Sequence, residues 1–388
     1  MRPAVHRIVL VPLLIVIATR CERMATTPPG PSATCVPATR PTFAYVLSST
    51  DATISMYTAN SCTGALTAMV PPTVPTGVNN GFNAESMAMD PTGSFLYVAN
   101  LGSNATDAAT ISMFTIDPVS GVLRATSRTP VPTGFFPQGI VASTTFVYTA
   151  NSDGKSVSMF TIDTNSGELT PLSPRETFVP PLYTSRSSFS SPGFVTVHPS
   201  GHFLYVTDQA NGSIMTFSID SLTGSLTPTN PAGVIAGVDP WEVVFDPAGR
   251  FAYVPDRDLG RVSMYSVDAK TGTLTPNPRV FVPAGSQPAY MAVHPSGKFA
   301  YVVDRYDGNV AMYNIDPVSG TLSPTTPGTV RAGSGAYPIA VNASGTLAYV
   351  GNQNDNSLSI YTIDPSGILV PAGTLQTGND PVAIVVRN

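Results

Sequence analysis

The charged residues of this chain are few, and they gather in short segments whose residue types suit hydrolytic chemistry. Of the 388 residues, 19 are Lys or Arg and 24 are Asp or Glu, so 11% are charged, against roughly 25% in an ordinary soluble domain. An acid and an arginine stand side by side twice, as Asp256-Arg257 and as Asp304-Arg305. A guanidinium can hold a carboxylate or a developing oxyanion, and a glutamate such as Glu242 can act as a general base on water.

Several other chemistries lack their sequence signals. The chain has four histidines and three cysteines. It contains no H-E-x-x-H, paired C-x-x-C, G-x-S-x-G or G-x-G-x-x-G motif, which disfavours zinc hydrolysis, serine hydrolysis and dinucleotide binding. We therefore predict no cofactor and no metal, although carboxylate and amide oxygens near the candidate site would be acceptable calcium ligands. A net charge of −5 without a polybasic cluster excludes nucleic acid as an expected partner.

The elements that must position these groups follow from an internal repeat. One pattern recurs seven times from Pro41 onward, and two of its positions mark every copy. The first marker is a tyrosine in an apolar run: Tyr45, Tyr97, Tyr148, Tyr205, Tyr253, Tyr301 and Tyr349. The second is a turn glycine: Gly64, Gly121, Gly167, Gly224, Gly272, Gly320 and Gly367.

Each repeat has the composition of a four-stranded antiparallel sheet. In one copy the strand-like runs are Trp241 to Phe245, Phe251 to Pro255, Val262 to Val267 and a run from Thr273, separated by turn sequences with Asp, Pro and Gly. The 38 prolines and 32 glycines are spread through the chain and would interrupt helices. We therefore predict an all-β fold, a seven-bladed β-propeller of four-stranded antiparallel blades spanning residues 41–388.

The two ends of the repeat region predict how the ring closes. The chain enters at Phe43 with the second strand of a blade, and it ends from Pro381 with an unpartnered first strand. Pairing between the C-terminal strand and the N-terminal blade would complete that blade and remove the open sheet edges.

The candidate site follows from where the repeat departs from itself. The start of each inner strand and the end of each second strand should meet around one mouth of the central channel. There Arg257 and Arg305 would hold an anion, Glu242 or Glu85 would act as the base, and aromatic side chains would stack on a sugar or apolar face. The candidate catalytic residues are Glu242, Arg257 and Arg305; the candidate substrate-binding residues are Glu85, Trp241, Asp256, Tyr290, Asp304 and Tyr337. Alternatively, the aspartates cap turns and the arginines pair with them.

The segment before the repeat has the character of an export signal and a tether. In residues 1–20, Arg2 and Arg7 precede a short apolar run typical of a signal peptide, and residues 21–40 are rich in Pro and Thr. Cys21 follows the apolar run and is a candidate for lipidation. Outside the cytoplasm the remaining pair, Cys35 and Cys62, is expected to form a disulfide, with two free thiols as the alternative.

Two repeat copies carry a family resemblance. The sequence H-P-S-G-x-F-x-Y-V begins at His198 and at His294, and Val262 opens the segment VSMYSVDAKTGTLTP. These motifs resemble the seven-bladed lactonase family typified by 6-phosphogluconolactonase, and the wider group of propellers with YVTN-type repeats. The resemblance implies hydrolysis of sugar lactones, or lactone formation, without an established metal.

The site residues of that family are only partly present. Asp256 and Arg261 match a family segment. Where family members show Pro-Arg-His and Asn-Glu, this chain has Pro288-Ala289-Tyr290 and Asp304-Arg305. Either Glu242 takes over from a neighbouring blade, or catalysis is lost.

Two functions remain open from the sequence. The first is an exported monomer that binds, or binds and hydrolyses, a sugar lactone or related small acid at the channel mouth. It would be periplasmic, secreted or held at the envelope by a lipid on Cys21, its only link to a membrane. The alternative is a non-catalytic surface propeller whose loops bind a protein or a glycan.

Overall fold

The computed structural model describes residues 41–77, 84–102, 109–182 and 190–387. The predicted signal peptide, the tether, Cys21 and Cys35 lie outside these residues, so the domain boundaries at 20 and 40 remain predictions. All regular structure in the described part is β-strand, arranged in seven antiparallel sheets. No helix that could span a membrane occurs among the described residues.

The seven sheets are the blades, numbered here in chain order. Blade 1 contains β1 (Thr42–Ser48), β2 (Thr53–Ala59), β3 (Leu66–Pro75) and β29 (Pro381–Arg387); blade 2 contains β4 (Ala84–Met89), β5 (Phe95–Asn100), β6 (Thr110–Ile116), β7 (Leu123–Ala125) and β8 (Val131–Pro132). Blade 3 contains β9 (Pro137–Ala142), β10 (Phe146–Asn151), β11 (Ser156–Ile162) and β12 (Leu169–Phe178); blade 4 contains β13 (Pro192–Val197), β14 (Phe203–Asp208), β15 (Ser213–Ile219) and β16 (Leu226–Ile235). Blade 5 contains β17 (Val244–Phe245), β18 (Phe251–Asp256), β19 (Arg261–Val267) and β20 (Leu274–Pro283); blade 6 contains β21 (Pro288–Val293), β22 (Phe299–Asp304), β23 (Asn309–Ile315) and β24 (Leu322–Arg331); blade 7 contains β25 (Ala336–Val341), β26 (Leu347–Asn352), β27 (Ser357–Ile363) and β28 (Leu369–Gln376).

The predicted architecture and its closure are confirmed. In blade 1 the C-terminal strand β29 pairs antiparallel with β1, and Tyr45 lies opposite Val385. Blade 2 differs from the prediction in one detail, because its outer strand is split into β7 and β8, which both pair with β6. Every blade thus has its inner strand paired, and the ring ends where it begins.

The two sequence markers of the repeat bond to each other across neighbouring blades. The buried hydroxyl of Tyr253 donates a hydrogen bond of 2.9 Å to the carbonyl of Gly320 in the next blade, and Tyr349 in blade 7 donates one of 3.1 Å to Gly64 in blade 1. Each of the other five tyrosines likewise donates a hydrogen bond to the carbonyl of the turn glycine in the next blade. We call these seven bonds the Tyr–Gly belt. It joins each blade to the next around the whole ring.

The turn glycines of the belt are required by both backbone and packing. Gly320 has a φ of +70°, in the left-handed region, and a Cβ there would overlap the ring of Phe251. Only glycine meets both conditions at low cost. The repeat therefore keeps glycine here because the neighbouring blade packs an aromatic ring against the turn.

Each inner strand carries one extra residue near its start. In β21, for example, Ala289 and Tyr290 stand opposite one residue, because Pro288 pairs with Asp304 and Met291 with Val302. Corresponding irregularities occur in the other paired inner strands. In blade 5 only Val244–Phe245 is regular strand, preceded by a bridge from Pro240 to Asp256, so the predicted strand from Trp241 begins three residues later. Such bulges change the direction in which a side chain points.

One loop prediction is wrong in part. The sequence suggests an insertion from Pro171 to Pro192 that could fold over the channel mouth as a lid. Residues Leu169–Phe178 instead form β12, the outer strand of blade 3, which pairs with β11. Arg175 and Glu176 form an ion pair with each other on that strand. Residues 183–189 lie outside the described residues.

Candidate active site at the channel mouth

The bulges gather unlike side chains at one mouth of the channel. Five of the predicted site residues are adjacent to or within these bulges, since Glu85, Trp241, Glu242, Tyr290 and Tyr337 all lie at the starts of inner strands. Eight residues at these bulges, or at the start of the inner segment of blade 5, form what we call the mouth ring: Glu85, Gln138, Phe194, Trp241, Glu242, Tyr290, Tyr337 and Val382. The repeat pattern therefore places these candidate residues at the same end of the channel, and the bulges determine the direction in which each side chain points.

Four aromatic side chains of the mouth ring pack into one layer. The ring centroids of Phe194 and Trp241 are 4.7 Å apart, and those of Tyr290 and Tyr337 are 4.9 Å apart with their planes at 82°. Trp241 also contacts Tyr290 and Tyr337. Trp241 and Tyr337 are each only 6% exposed, so most of their surface packs against protein. They form a floor to the mouth, with limited area open for stacking on a ligand.

The guanidinium group of Arg257 lies on this floor and is held by Asp239, an acid that is not among the candidate residues from the sequence. Its guanidinium carbon is 3.8 Å from the centroid of the Trp241 ring. Its Nε and Nη2 atoms lie 2.7 and 2.6 Å from Oδ2 of Asp239. Burial raises the pKa of Asp239, and the Arg257 charge opposes that rise. Asp239 stands two residues before Trp241, and this proximity in sequence was the only signal for it.

Arg305 occupies the equivalent position in the next blade with a different environment. Its guanidinium carbon lies 5.1 Å from the centroid of the Tyr337 ring. Among the described residues no carboxylate lies within 4 Å of this half-buried guanidinium. Among the described residues Arg305 is thus the arginine at the mouth that is not held in an ion pair.

Glu85 is the carboxyl group that shares this space. Burial raises the pKa of Glu85 to about 7; the charge of Asp380 adds to the rise, and that of Arg305 opposes it. The hydroxyl of Tyr337 is influenced by the charges of Glu85, Arg305, Arg257 and Asp380, and burial is the main reason that its pKa is raised. Two acids and two arginines therefore surround one phenol at the mouth.

Glu242 lies on the other side of the aromatic layer. It lines a channel cavity of about 200 Å³ together with Phe194 and Tyr290, whereas Trp241 and the two arginines do not line that cavity. Its Oε1 atom accepts a 2.8 Å hydrogen bond from the backbone N–H of Met291. Burial raises the pKa of Glu242 to about 8. Burial is the main reason that the pKa of Tyr290 is raised, and the charges of Glu242 and Glu85 add to the rise.

The two predicted binding aspartates are buried at the ends of second strands. Asp256 accepts hydrogen bonds from the backbone N–H groups of Val238, Asp239 and Leu259. Asp304 accepts them from Ser286, Gln287, Tyr306 and Asp307. Both residues have no exposed surface. This geometry is that of turn caps, and it leaves no carboxylate oxygen free for a ligand.

Two other predicted residues lie away from the mouth. Arg261, which matches the family segment, stands on β19 with its guanidinium carbon 4.5 Å from the centroid of the Phe281 ring on β20. Cys62 is disulfide-bonded. Since Cys35 lies outside the described residues, its pairing with Cys62 stays a prediction. No cluster of three His, Cys, Asp or Glu suited to a metal ion occurs in the described part.

The mouth can bind and polarise a small polar molecule. Arg305 offers donors for a carbonyl or oxyanion, and Glu85 can exchange a proton near neutral pH because its pKa is close to 7. The aromatic floor excludes water from one side. These features suit general-base attack of water on an ester or lactone carbonyl.

Comparison with known proteins agrees with this architecture. A protein of Bacteroides fragilis described as a 6-phosphogluconolactonase is similar in structure, with a TM-score of 0.77 and 21% identity, over 91% of this chain and 100% of that one. The periplasmic gluconolactonase of Pseudomonas aeruginosa gives a TM-score of 0.72 and 21% identity, over 89% and 99%. At such identities the likeness shows the fold alone.

Sequence comparison assigns the family. Among curated proteins no match to this chain is found. The family model described as lactonase, 7-bladed beta-propeller, matches residues 35–181 and 236–386, well over half of the chain. The protein therefore belongs to the family of seven-bladed β-propeller lactonases.

Proposed function

We propose that this protein binds and hydrolyses a sugar lactone at the channel mouth. The observation that carries the proposal is that Arg257 and Arg305 lie over the rings of Trp241 and Tyr337, where the charges of Glu85 and Asp380 also act on the Tyr337 hydroxyl. In a chain with only 11% charged residues this concentration is unusual. Membership of the lactonase family supports the class of reaction.

Glu85 and Arg305 take the two chemical roles. Ionised Glu85 removes a proton from water as the water oxygen attacks the lactone carbonyl carbon, and Arg305 stabilises the negative charge that develops on the carbonyl oxygen. When the ring C–O bond breaks, the carboxylic acid of Glu85 returns the proton to the leaving oxygen. Water adds across the bond, and the product is a hydroxy acid.

The remaining mouth residues position the substrate. Arg257 forms an ion pair with Asp239, which holds its guanidinium group in place and partly neutralises its positive charge. Arg305 has no such partner in the described part of the chain. Trp241 and Tyr337 form an apolar base that carries the two guanidinium groups, and a sugar would contact only the small part of these rings that is exposed. Glu242 lies beyond this base, and we therefore give the role of general base to Glu85.

We also propose that the protein acts outside the cytoplasm. This rests on the signal-like residues 1–20, and one protein of similar fold is a periplasmic enzyme. A phosphorylated sugar of the cytosol would not be met there.

A panel of aldonolactones tests the activity. Arg305→Ala should lower kcat/KM by about 100-fold, the usual cost of removing an oxyanion donor. The matched control is Arg124→Ala, on the exposed outer strand β7 of blade 2, which should leave kcat/KM unchanged. Equal rates for wild type, Arg305→Ala and Arg124→Ala would contradict the proposal, since any turnover would then arise elsewhere.

A second function is favoured by the exposed apolar groups on the mouth face. Tyr306 is 81% exposed, and Phe135, Phe136 and Leu259 are also exposed in loops on this face. Such groups commonly mark contact surfaces. A protein that turns over no lactone, while Tyr306→Ala loses binding on a glycan array, would support the non-catalytic alternative.

A further inference from the structure

The channel cavity beyond the aromatic layer is separate from the proposed mouth site. Its volume is about 200 Å³, and it is lined by residues of all seven inner segments. Phe194 and Tyr290 line it and pack against Trp241 and Tyr337, on which the arginines lie and which do not line the cavity. We propose that this cavity, here called the inner chamber, binds a small uncharged molecule with an apolar body and at least one hydrogen-bond acceptor.

The side chains that line the inner chamber are the reason why we expect the ligand to have an apolar body. Besides the polar side chains Ser86, Thr196 and Glu242, its lining includes the apolar side chains Met87, Ile140, Val195, Met291, Ile339 and Ile384. A sugar would have to bury several hydroxyls against these side chains, and an unpaired buried hydroxyl costs about 1–3 kcal/mol by mutational data. An aliphatic ring or chain loses little on entering and displaces water from apolar surface. The inner chamber and the mouth therefore differ in the chemistry of their ligands.

Glu242 determines the hydrogen-bond acceptor that the ligand needs. One carboxyl oxygen, Oε1, is bound by the Met291 N–H. The other oxygen, Oε2, has no hydrogen-bond partner among the described residues and belongs to a side chain that lines the chamber. Because burial raises the pKa of Glu242 to about 8, the group is a neutral carboxylic acid at pH 7 and presents an O–H to the chamber. A ketone, ester or ether oxygen accepts such a bond.

The other titratable groups near Glu242 do not change its protonation at pH 7. Tyr290 lines the same wall, and burial raises its pKa well above the usual value, so it stays protonated. The charge of Glu85 also acts on the Tyr290 hydroxyl, and Glu85 adds negative charge to this region when ionised. Negative charge at Glu85 further favours the neutral acid at Glu242.

The volume sets the size of the ligand. An engineered apolar cavity of roughly 150 Å³ accepts benzene. The inner chamber is somewhat larger, which suits a substituted six-membered ring. Cyclohexanone is a probe of this kind, and cyclohexane is its counterpart without the acceptor.

Binding of the two probes by the full-length protein tests the proposal. Ligand-observed NMR should show that cyclohexanone binds at least tenfold more tightly than cyclohexane at pH 7. Ile339→Phe, which fills the chamber, should abolish binding, whereas the mouth variant Arg305→Ala should leave it unchanged. Loss of binding in Arg305→Ala with retention in Ile339→Phe would overturn the proposal and would leave the mouth site intact.

The pH dependence adds a readout that does not depend on filling the cavity. Wild-type affinity for cyclohexanone should fall as pH rises through about 8, because ionised Glu242 no longer donates. Glu242→Gln keeps a donor and should bind the probe equally at pH 7 and 9. Methyl NMR signals of Met87 and Met291 should shift with cyclohexanone, whereas that of Met113, buried in blade 2, should not. No shift at Met87 or Met291 would overturn the assignment even if Ile339→Phe fails to fold.

Discussion

The Tyr–Gly belt and the mouth ring both take residues from all seven blades, yet they have opposite character. In the belt every copy makes the same hydrogen bond from a buried tyrosine to the turn glycine of the next blade. The mouth ring instead holds acids, an amide, aromatic rings and an aliphatic side chain. Repetition maintains the architecture, and departure from it marks the chemistry.

The two regions also differ in how well their polar groups are paired. Each belt hydroxyl is buried with its acceptor. Around the mouth, Gln138 Oε1, Gln209 Nε2 and Gln353 Oε1 are buried without a protein partner among the described residues. The indole N–H of Trp241 lies near the Tyr290 hydroxyl without reaching hydrogen-bond geometry. An unpaired buried polar group costs about 1–3 kcal/mol of the free energy of unfolding. The mouth therefore carries a stability cost that the belt does not.

Removing the closing strand should give the largest effect, because the belt and the ring both need a closed circle. Deletion of residues 381–388 exposes the edge of β1 and removes the buried side chains Val382 and Ile384. We expect a loss of more than about 5 kcal/mol in the free energy of unfolding. Calorimetry measures this, with deletion of residue 388 alone as the control. An unchanged Tm would refute the closure.

Substituting a belt glycine should separate backbone strain from packing. Gly320 and Gly201 both have a φ in the left-handed region, +70° and +76°, but only Gly320 faces a ring, since nothing lies within 4 Å of a Cβ on Gly201. Gly201→Ala should cost about 1–2 kcal/mol and Gly320→Ala about 3–5 kcal/mol. Denaturant unfolding gives both values. Equal costs would mean that the belt does not require the Phe251 contact.

Removing one belt hydroxyl should have a smaller effect. Tyr253→Phe leaves the Gly320 carbonyl buried without its donor, which should cost about 1–3 kcal/mol. Tyr306→Phe removes a hydroxyl from an 81% exposed side chain and should change stability by less than about 0.5 kcal/mol. If the two variants unfolded at the same denaturant concentration, the belt would contribute nothing measurable.

A mouth substitution should have the smallest effect on stability. Arg305 has no ion pair among the described residues, so Arg305→Ala should change the free energy of unfolding by less than about 1 kcal/mol. The same variant should lose most lactone turnover. A large fall in Tm would place Arg305 among the structural residues instead.

The fold was accessible from the sequence because it is repeated. Seven copies of one tyrosine and one glycine outweigh the ambiguity of any single strand, and the C-terminal run from Pro381 supplied the closure. The split of the outer strand in blade 2 and the short β17 in blade 5 were not predictable, because both are local departures in a single copy.

The candidate site was accessible only in part. Position in the repeat placed Glu85, Trp241, Tyr290 and Tyr337 at one mouth. It could not show that the carboxylate oxygens of Asp256 and Asp304 accept hydrogen bonds from backbone N–H groups, or that Glu242 faces the inner chamber. Those outcomes depend on the direction of a bulged side chain, which periodicity does not encode.

The pH dependence of lactone hydrolysis tests the central claim, that the mouth ring carries the chemistry. Since Glu85 must be ionised to act as a base and its pKa is raised to about 7, kcat/KM of the wild type should rise with pH through about 7. Glu85→Gln should be slow and lack this rise, whereas Glu168→Gln, an acid paired with Arg128 away from the mouth, should behave as wild type. The same rise in Glu85→Gln as in wild type would contradict the account.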